Sequence, residues 1–320
     1  MCAAIPEILV YCPDPSQARR YREMILARHP GALVHVASTV VEAEPFAARA
    51  EILFGWMVPP EVLRAASRLK WFQKTGAGVE DVVFDDVLPA SVRLTRCDGA
   101  ILAPRMVEYV LGAVYGFAQK FHLAWAQKAR RDWKPYMVDR AEGRTLGIAG
   151  LGDIGREIAR RAALNGLHVV GWRRTRQEEP NVAKVYVGRE QLKDFVAACD
   201  IVVLVLPNTQ ATRGLFDADV FSAFRPGSFL VNVGRGTVVD ETALVAALRE
   251  GRLAGAALDV FAIEPLPADH PLWDAPNVLI TPHVSGPIVP DEVAPFFLEN
   301  LDLYLKGQPL LRMIDRASGY

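Results

Sequence analysis

The chain has 320 residues, more than a single hydrophobic core usually serves, so two domains are expected. Its composition, 51% hydrophobic and 23% charged, is typical of a globular protein, and a formal charge of −1 predicts neither nucleic acid nor a membrane as a partner. The four cysteines, Cys2, Cys12, Cys97 and Cys199, have neither metal-ligand nor disulfide-framework spacing, so we predict no metal and a reducing, cytoplasmic location.

Short apolar runs alternate with amphipathic segments over the first hundred or so residues. The runs are EILVYC, ALVHVA, ILFGWM and WFQKTGAG, and the helical segments SQARRYREMILARH and PEVLRAASRL lie between them. This alternation predicts a mostly parallel sheet with helices on both faces. The first domain is expected to end near Asp98.

The segment from Pro104 to Lys128 is apolar nearly all round its predicted helix. A surface helix needs only one apolar stripe, so we expect this segment to lie between two bodies, either domains or subunits. A second strand and helix alternation runs from TLGIAGLGDIG to NVLITPH, and the helical residues after Gly286 are expected to return to the first domain. The predicted domains are residues 1–98 with 287–320, and residues 99–286.

A glycine turn lies in TLGIAGLGDIG. Gly150, Gly152 and Gly155 directly follow an apolar strand and precede a helix. Such a turn needs one glycine for the tight bend, one for backbone approach to a pyrophosphate, and one for helix packing on the strand. The helix N-terminus then favours the phosphates. We predict a dinucleotide site here.

The position that reads the cofactor ribose lies in GWRRTR. NAD-binding folds carry an acid there, about twenty residues after the glycines. Here Arg173 occupies it with Arg174 beside it, and the acids Glu178 and Glu179 lie beyond it. A guanidinium matches a 2′-phosphate, so we expect NADP(H) to be preferred and NAD(H) to be possible. The alternative is a solvated loop with incidental charge.

Three strand ends in the second half carry a candidate acid and base set. FLVNVGRGTVVD contains Arg235, GAALDVFAIEPLP contains Asp259 and Glu264, and VLITPHVSG contains His283. Loops after the carboxyl ends of such strands converge on one crevice. The set suits reduction of a 2-keto acid, with His283 as proton donor, Glu264 favouring its protonated form, and Arg235 binding the substrate carboxylate.

Four motifs, VNVGRGTVVD, LDVFAIEPLP, TPHVSG and GLGDIG, together resemble the D-2-hydroxyacid dehydrogenase family over nearly the whole chain. The resemblance implies an α/β fold with two doubly wound, Rossmann-like domains, a flavodoxin-like substrate domain and an NAD(P)-binding Rossmann domain. It also implies that the family's catalytic Arg, Glu and His are Arg235, Glu264 and His283.

The resemblance extends to the substrate side. KTGAGVED matches the loop whose N–H groups bind the substrate carboxylate, which implies that role for Gly76, Ala77, Gly78 and Val79, although Glu80-Asp81 replaces the usual Asp. YVGREQL, LPNTQATRG, PLPADHPLW and DRASGY resemble the NADPH-linked glyoxylate/hydroxypyruvate reductase branch, in which Trp56 matches a substrate-side tryptophan.

These patterns lead to a set of expected cofactor contacts and partners. The cofactor residues are Gly150, Gly152, Asp153, Ile154, Gly155, Arg173, Arg174, Leu206, Pro207, Thr212, Val233, Gly234, Asp259 and Ser285. The resemblance implies a homodimer through the 104–128 region. The alternatives are a nucleotide-sensing, corepressor-like binding protein, which the lack of extended tails disfavours, and formate or phosphite oxidation. Formate enzymes carry Gln where Glu264 lies.

Overall fold

The computed structural model of the chain describes residues 6–83 and 87–316. They belong to two units, each with its own parallel sheet. The first unit comprises Met1–Ile101 and Ile288–Tyr320, and the second comprises Leu102–Pro287. The predicted boundaries, after residue 98 and before residue 287, lie close to these limits, while the role assigned to each domain stays a prediction.

The first unit is built on five parallel strands in the order β2-β1-β3-β4-β5. Strands β1, β3 and β4 are buried along their whole length because helices cover both faces of the sheet. The strand order reverses between β1 and β3, so the carboxyl ends of these strands border a crevice. The elements are β1 Ile8–Tyr11, α1 Pro15–Arg28, β2 Val34–Ala37, α2 Val40–Ala47, β3 Ile52–Gly55, α3 Pro60–Ala65, β4 Trp71–Lys74, α4 Glu80–Val83 and β5 Arg93–Thr95.

The second unit is built on seven parallel strands in the order β12-β11-β10-β9-β6-β7-β8. The order reverses between β6 and β9, which puts the glycine turn after β6 at the expected ligand crevice. The elements are α5 Gly99–Ala118, α6 Phe121–Arg130, β6 Thr145–Ala149, α7 Asp153–Leu164, β7 His168–Arg173, β8 Lys184–Val187, α8 Leu192–Ala197, β9 Ile201–Leu204, α9 Ala218–Ser222, β10 Ser228–Asn232, α10 Glu241–Arg249, β11 Leu253–Leu258 and β12 Val278–Ile280. The last helix, α11 Pro290–Leu305, belongs to the first unit, as the sequence predicts.

The predicted 104–128 helix is two helices. Lys120 has a left-handed backbone with φ of +54°, and it separates α5 from α6. Several apolar side chains of α5 are buried, whereas α6 has none buried and exposes Phe121 and Trp125. By length and composition alone, α5 is also apolar enough to cross a membrane. Of its most apolar stretch of 18 residues, 39% is buried inside the protein.

Candidate active site

The glycine turn joins β6 to α7. Gly150 has a left-handed backbone with φ of +105°, which glycine adopts without the strain of a side chain. A Cβ atom on Gly155 would lie 1.9 Å from the carbonyl oxygen of Gly150, so the helix packs too closely on the turn for any side chain. A Cβ atom on Gly152 would meet nothing within 4 Å, so this side of the turn is open. The three glycines thus meet the three requirements of a pyrophosphate-binding turn.

The N-terminus of α7, at Asp153 and Ile154, directly follows the glycine turn. Asp14, Asp217 and Asp240 cap α1, α9 and α10 by accepting backbone N–H groups. Among the described residues, no side chain caps α7 in this way. An uncapped first turn and the positive end of the helix dipole favour an anion. The residues present therefore fit a dinucleotide pyrophosphate.

The strand β7 ends at Arg173, the predicted ribose-reading position. Its guanidinium is bound to the carboxylate of Glu179. Arg156 of α7 donates to the same carboxylate through Nε at 2.8 Å and Nη2 at 2.9 Å. The sequence position of Glu179 suggested that it lies beyond the site. The structure shows otherwise, because the loop after β7 returns Glu179 to the end of that strand. Arg174 is exposed in the bend that follows β7.

Arg235, Glu264 and His283 follow the neighbouring strands β10, β11 and β12. The Nδ1 atom of His283 lies 2.8 Å from Oε2 of Glu264, and Oε1 accepts the backbone N–H of Phe261 at 2.9 Å. A Cβ atom on Gly236 would lie 1.8 Å from the carbonyl carbon of Phe261. The loop that carries Arg235 therefore packs directly on the loop that leads to Glu264.

The carboxyl group of Glu264 is held in its anionic form. Burial alone would raise its pKa, but the hydrogen bonds with His283 and with the Phe261 N–H outweigh burial, and the nearby charge of Arg235 acts in the same direction. The pKa of Glu264 is therefore lowered from its ordinary 4.5. Because this carboxylate engages Nδ1 of the imidazole, Nε2 is the ring nitrogen left to carry a transferable proton.

Asp259 organises the segment that carries His283. It is completely buried, and its Oδ1 accepts the Thr281 hydroxyl at 2.5 Å and the Val284 N–H at 2.8 Å. Its Oδ2 accepts the backbone N–H of Ser285 at 2.8 Å. The sequence assigned Asp259 and Ser285 to the cofactor, and the structure shows these two residues bonded to each other. Sequence reasoning missed this positioning role because it depends on backbone groups, which leave no residue signature.

The other predicted cofactor residues lie at and beyond the ends of β9 and β10. Leu206 and Val233 are buried, and a Cβ atom on Gly234 would lie 2.7 Å from the backbone nitrogen of Leu206, so these two strand ends touch. The hydroxyl of Thr212 donates to the carbonyl oxygen of Pro207 at 2.6 Å and closes the intervening loop. Contact of these residues with a cofactor stays a prediction.

In the first unit, the structure brings the predicted substrate residues together. Trp56 follows β3 and the loop from Gly76 to Val79 follows β4, the neighbouring strand. A Cβ atom on Gly76 would lie 2.0 Å from Cζ3 of Trp56, so the indole ring lies directly against the loop backbone. Ala77 and Gly78 are partly exposed, whereas Val79 is buried in the core.

A buried ammonium group lies beneath this loop, and sequence reasoning missed it. Lys74 is the last residue of β4, its side chain is 3% exposed, and it is bound to the carboxylate of Asp81 in α4. Its Nζ also lies 5.7 Å from the centre of the Trp56 ring. Position 81 is part of the Glu80-Asp81 departure from the family pattern, so this pair gives that departure a structural role. The signal in the sequence was a lysine at the end of a strand that is otherwise apolar or uncharged.

Known proteins match most of this chain. Residues 111–285 match the family described as D-isomer specific 2-hydroxyacid dehydrogenase, NAD binding domain. A glyoxylate/hydroxypyruvate reductase A from Salmonella heidelberg is 34% identical over 270 residues, which cover 83% of this chain and 86% of that protein.

Two solved structures are similar over nearly the full length. One is a D-isomer specific 2-hydroxyacid dehydrogenase from Xanthobacter autotrophicus in complex with NADPH and MES, with a TM-score of 0.88, 34% identity, and coverage of 98% of this chain and 100% of that one. The other is an NADPH-dependent glyoxylate/hydroxypyruvate reductase from Sinorhizobium meliloti in complex with NADP and sulfate, with a TM-score of 0.89, 28% identity, and coverage of 98% and 100%. Family, fold and curated relatives agree, and the chain belongs to the D-isomer specific 2-hydroxyacid dehydrogenase family.

Proposed function

We propose that this enzyme uses NADPH to reduce a small 2-keto acid, glyoxylate or hydroxypyruvate, to the D-2-hydroxy acid. The observation that carries the proposal is the pair formed by His283 and Glu264, with Nδ1 and Oε2 2.8 Å apart, beside Arg235. An imidazole next to an anionic carboxylate is a suitable acid at neutral pH. The names of the Salmonella and Sinorhizobium relatives support the choice of substrate.

The glycine turn and the first turn of α7 would hold the cofactor pyrophosphate, and Arg173 and Arg174 would bind the 2′-phosphate. When bound, the nicotinamide supplies a hydride to the carbonyl carbon of the substrate. The two similar solved structures are complexes with NADPH and with NADP, which supports this preference.

His283 would supply the proton. As the carbonyl carbon is reduced, the π electrons move to the carbonyl oxygen, and the Nε2 proton of His283 passes to that oxygen to complete the hydroxyl group. Glu264 would remain ionised throughout and hold the imidazole at Nδ1, so that Nε2 faces the reaction. Arg235 would bind the substrate carboxylate and polarise the carbonyl, because its fork of donors matches planar oxygens.

The histidine assignment is tested with His283→Asn. We expect kcat for glyoxylate and hydroxypyruvate to fall by roughly 10²-fold or more, with the Kd for NADPH unchanged, because the amide cannot donate a proton as an acid. His168→Asn is the matched control, since His168 is exposed at the start of β7. Retention of full activity by His283→Asn would exclude the acid role.

The substrate assignment is tested with Arg235→Ala. We expect a higher KM for both keto acids and a lower kcat, since the carboxylate loses its charged partner. A screen of glyoxylate, hydroxypyruvate, pyruvate and bulkier 2-keto acids, each with NADPH and NADH, would identify the preferred substrate. Lack of turnover with every keto acid, alongside intact NADP(H) binding, would favour the nucleotide-sensing alternative.

We also propose that the enzyme is a cytoplasmic homodimer whose subunits meet on α5, α6 and the following segment. Trp133 is 94% exposed and Met137 is 83% exposed, and Phe121 and Trp125 add to the same stretch of chain. Exposed apolar surface of this kind marks an interface. Trp125→Glu should lower the mass found by sedimentation toward that of one chain, and an unchanged dimer would exclude this face.

A further inference from the structure

A buried ion-pair cluster borders the predicted ribose site of the second unit. Glu179 has a side chain that is only 3% exposed, and both of its carboxylate oxygens accept from guanidinium groups. Arg156 takes both oxygens in a bidentate geometry, and Arg173 binds Oε1. One carboxylate therefore serves two guanidinium groups, which leaves the cluster with a net positive charge.

The two arginines come from the elements that frame the predicted cofactor site. Arg156 lies in the first turn of α7, directly after Gly155 of the glycine turn, and Arg173 is the last residue of β7. Glu179 comes from the loop after β7 and closes the gap between them. The negative charge that NAD-binding folds place at the end of this strand is thus present here, but it is bound to arginine.

We propose that Glu179 is a specificity-determining residue that limits the preference for NADP(H) over NAD(H). Its carboxylate holds Arg173 in an ion pair, so an incoming 2′-phosphate must compete with Glu179 for that guanidinium. The inference rests on the proposed function, because it takes the 2′-phosphate to be bound at this strand end.

The physical argument concerns like charges. A phosphate monoester at neutral pH carries a charge of about −1.5 to −2, and a carboxylate bound to the same guanidinium opposes its approach. The 2′-hydroxyl of NAD(H) carries no charge and does not compete with Glu179. The carboxylate therefore weakens binding of the phosphorylated cofactor selectively.

The experiment measures Kd for NADP⁺ and NAD⁺ by calorimetry on the full chain. Glu179→Gln keeps the size of the side chain and one acceptor oxygen, and it removes the charge. We expect NADP⁺ to bind about tenfold more tightly, which is about 1.4 kcal/mol, and NAD⁺ to stay within about twofold. Glu157→Gln is the matched control, because Glu157 lies next to Arg156 on α7 but pairs with Arg160 and Arg161. It should leave the ratio of the two Kd values unchanged.

Two further variants separate the possible outcomes. Glu179→Asp keeps the charge but shortens the side chain, so it should increase the NADP⁺ affinity by less than Glu179→Gln does. It replaces Glu179→Gln in the test if that variant does not fold. An unchanged or weaker NADP⁺ affinity in a folded Glu179→Gln variant would overturn the inference, since the carboxylate would then only hold the arginines in place.

Arg173→Ala tests the cofactor assignment itself and should weaken NADP⁺ selectively. If Arg173→Ala weakens NADP⁺ and Glu179→Gln fails to strengthen it, the role of Glu179 alone is wrong. If Arg173→Ala leaves both affinities unchanged, Arg173 does not read the 2′-phosphate, and the inference fails with that assignment.

Discussion

Asp259 and His283 are joined through the backbone, because the N–H of His283 donates to the carbonyl oxygen of Asp259 at 2.9 Å. His283 also has a left-handed backbone, with φ of +54°, which a residue with a side chain adopts only when its surroundings hold it there. The Asp259 carboxylate supplies that support by accepting the N–H groups of Val284 and Ser285.

Asp259→Asn should therefore impair the proposed acid, His283, without a direct contact between the two side chains. The amide has one acceptor oxygen in place of two, so a buried N–H loses its partner, at a cost of about 1–3 kcal/mol. We expect kcat to fall by about tenfold or more, and Tm to fall as well. Asp217→Asn is the control, since asparagine caps a helix as well as aspartate does. Equal kcat for Asp259→Asn and the parent chain would contradict this positioning role.

Glu264→Gln should change the pH dependence of reduction. The pKa of Glu264 is lowered from 4.5, so its charge, and the stability that depends on that charge, are present above that value and are lost as the pH falls through the lower pKa of the folded chain. At neutral pH the variant lacks an anion that the parent chain has, and Nδ1 of His283 loses its charged partner.

In Glu264→Gln, kcat at neutral pH should consequently fall on the order of ten- to a hundredfold, and the loss of kcat that follows protonation of Glu264 at acid pH in the parent chain should be absent. Steady-state rates between pH 3 and pH 8 would measure both effects. Superimposable pH profiles for the two proteins would mean that Glu264 does not act on His283.

Two glycine substitutions should have opposite consequences. Gly155→Ala puts a Cβ atom 1.9 Å from the Gly150 carbonyl oxygen, a clash with rigid backbone, so we expect a large loss of Tm. Gly152→Ala meets nothing within 4 Å, so we expect a normal Tm but weaker NADP⁺ binding, because the methyl group occupies the space that the pyrophosphate needs. Thermal melts and calorimetry distinguish these results, and normal cofactor affinity in Gly152→Ala would argue against a pyrophosphate at this turn.

Glu157→Gln should lower the free energy of unfolding at neutral pH but not at strongly acidic pH. Hydrogen bonding with Arg160 and Arg161 lowers the pKa of Glu157 to about 2, against the effect of partial burial. The contribution of this carboxylate is therefore complete above its ordinary pKa of 4.5 and is lost as the pH falls toward about 2. The pair lies at the surface, so we expect less than about 1 kcal/mol at neutral pH. The difference in Tm between the two chains should shrink from pH 7 to pH 3, and a constant difference would exclude the electrostatic explanation.

The sequence predicted what depends on local pattern. The family, the two doubly wound domains and the enzyme class are confirmed. The glycine turn was recognisable because its strand, its turn and its helix are consecutive. Arg235, Glu264 and His283 could be assigned to strand ends for the same reason, and parallel pairing of their strands then brings those ends together.

Other features depend on where loops return, which no local pattern specifies. Glu179 is six positions after Arg173 (179 minus 173), and counting along the chain could not show that it folds back onto that arginine. The contact of Gly76 with Trp56 depends on which strands are neighbours. The break at Lys120 depends on a single left-handed residue within an apolar stretch.

The succession of Arg235, Glu264 and His283 along three adjacent strands has an evolutionary consequence. Each group is attached to a separate strand, and each strand is fixed by hydrogen bonds with its neighbours. An insertion in one connecting loop can therefore displace one of these side chains while the strands that carry the other two keep their positions. The three strand ends can therefore keep their relative positions while the loops between them change in length and sequence.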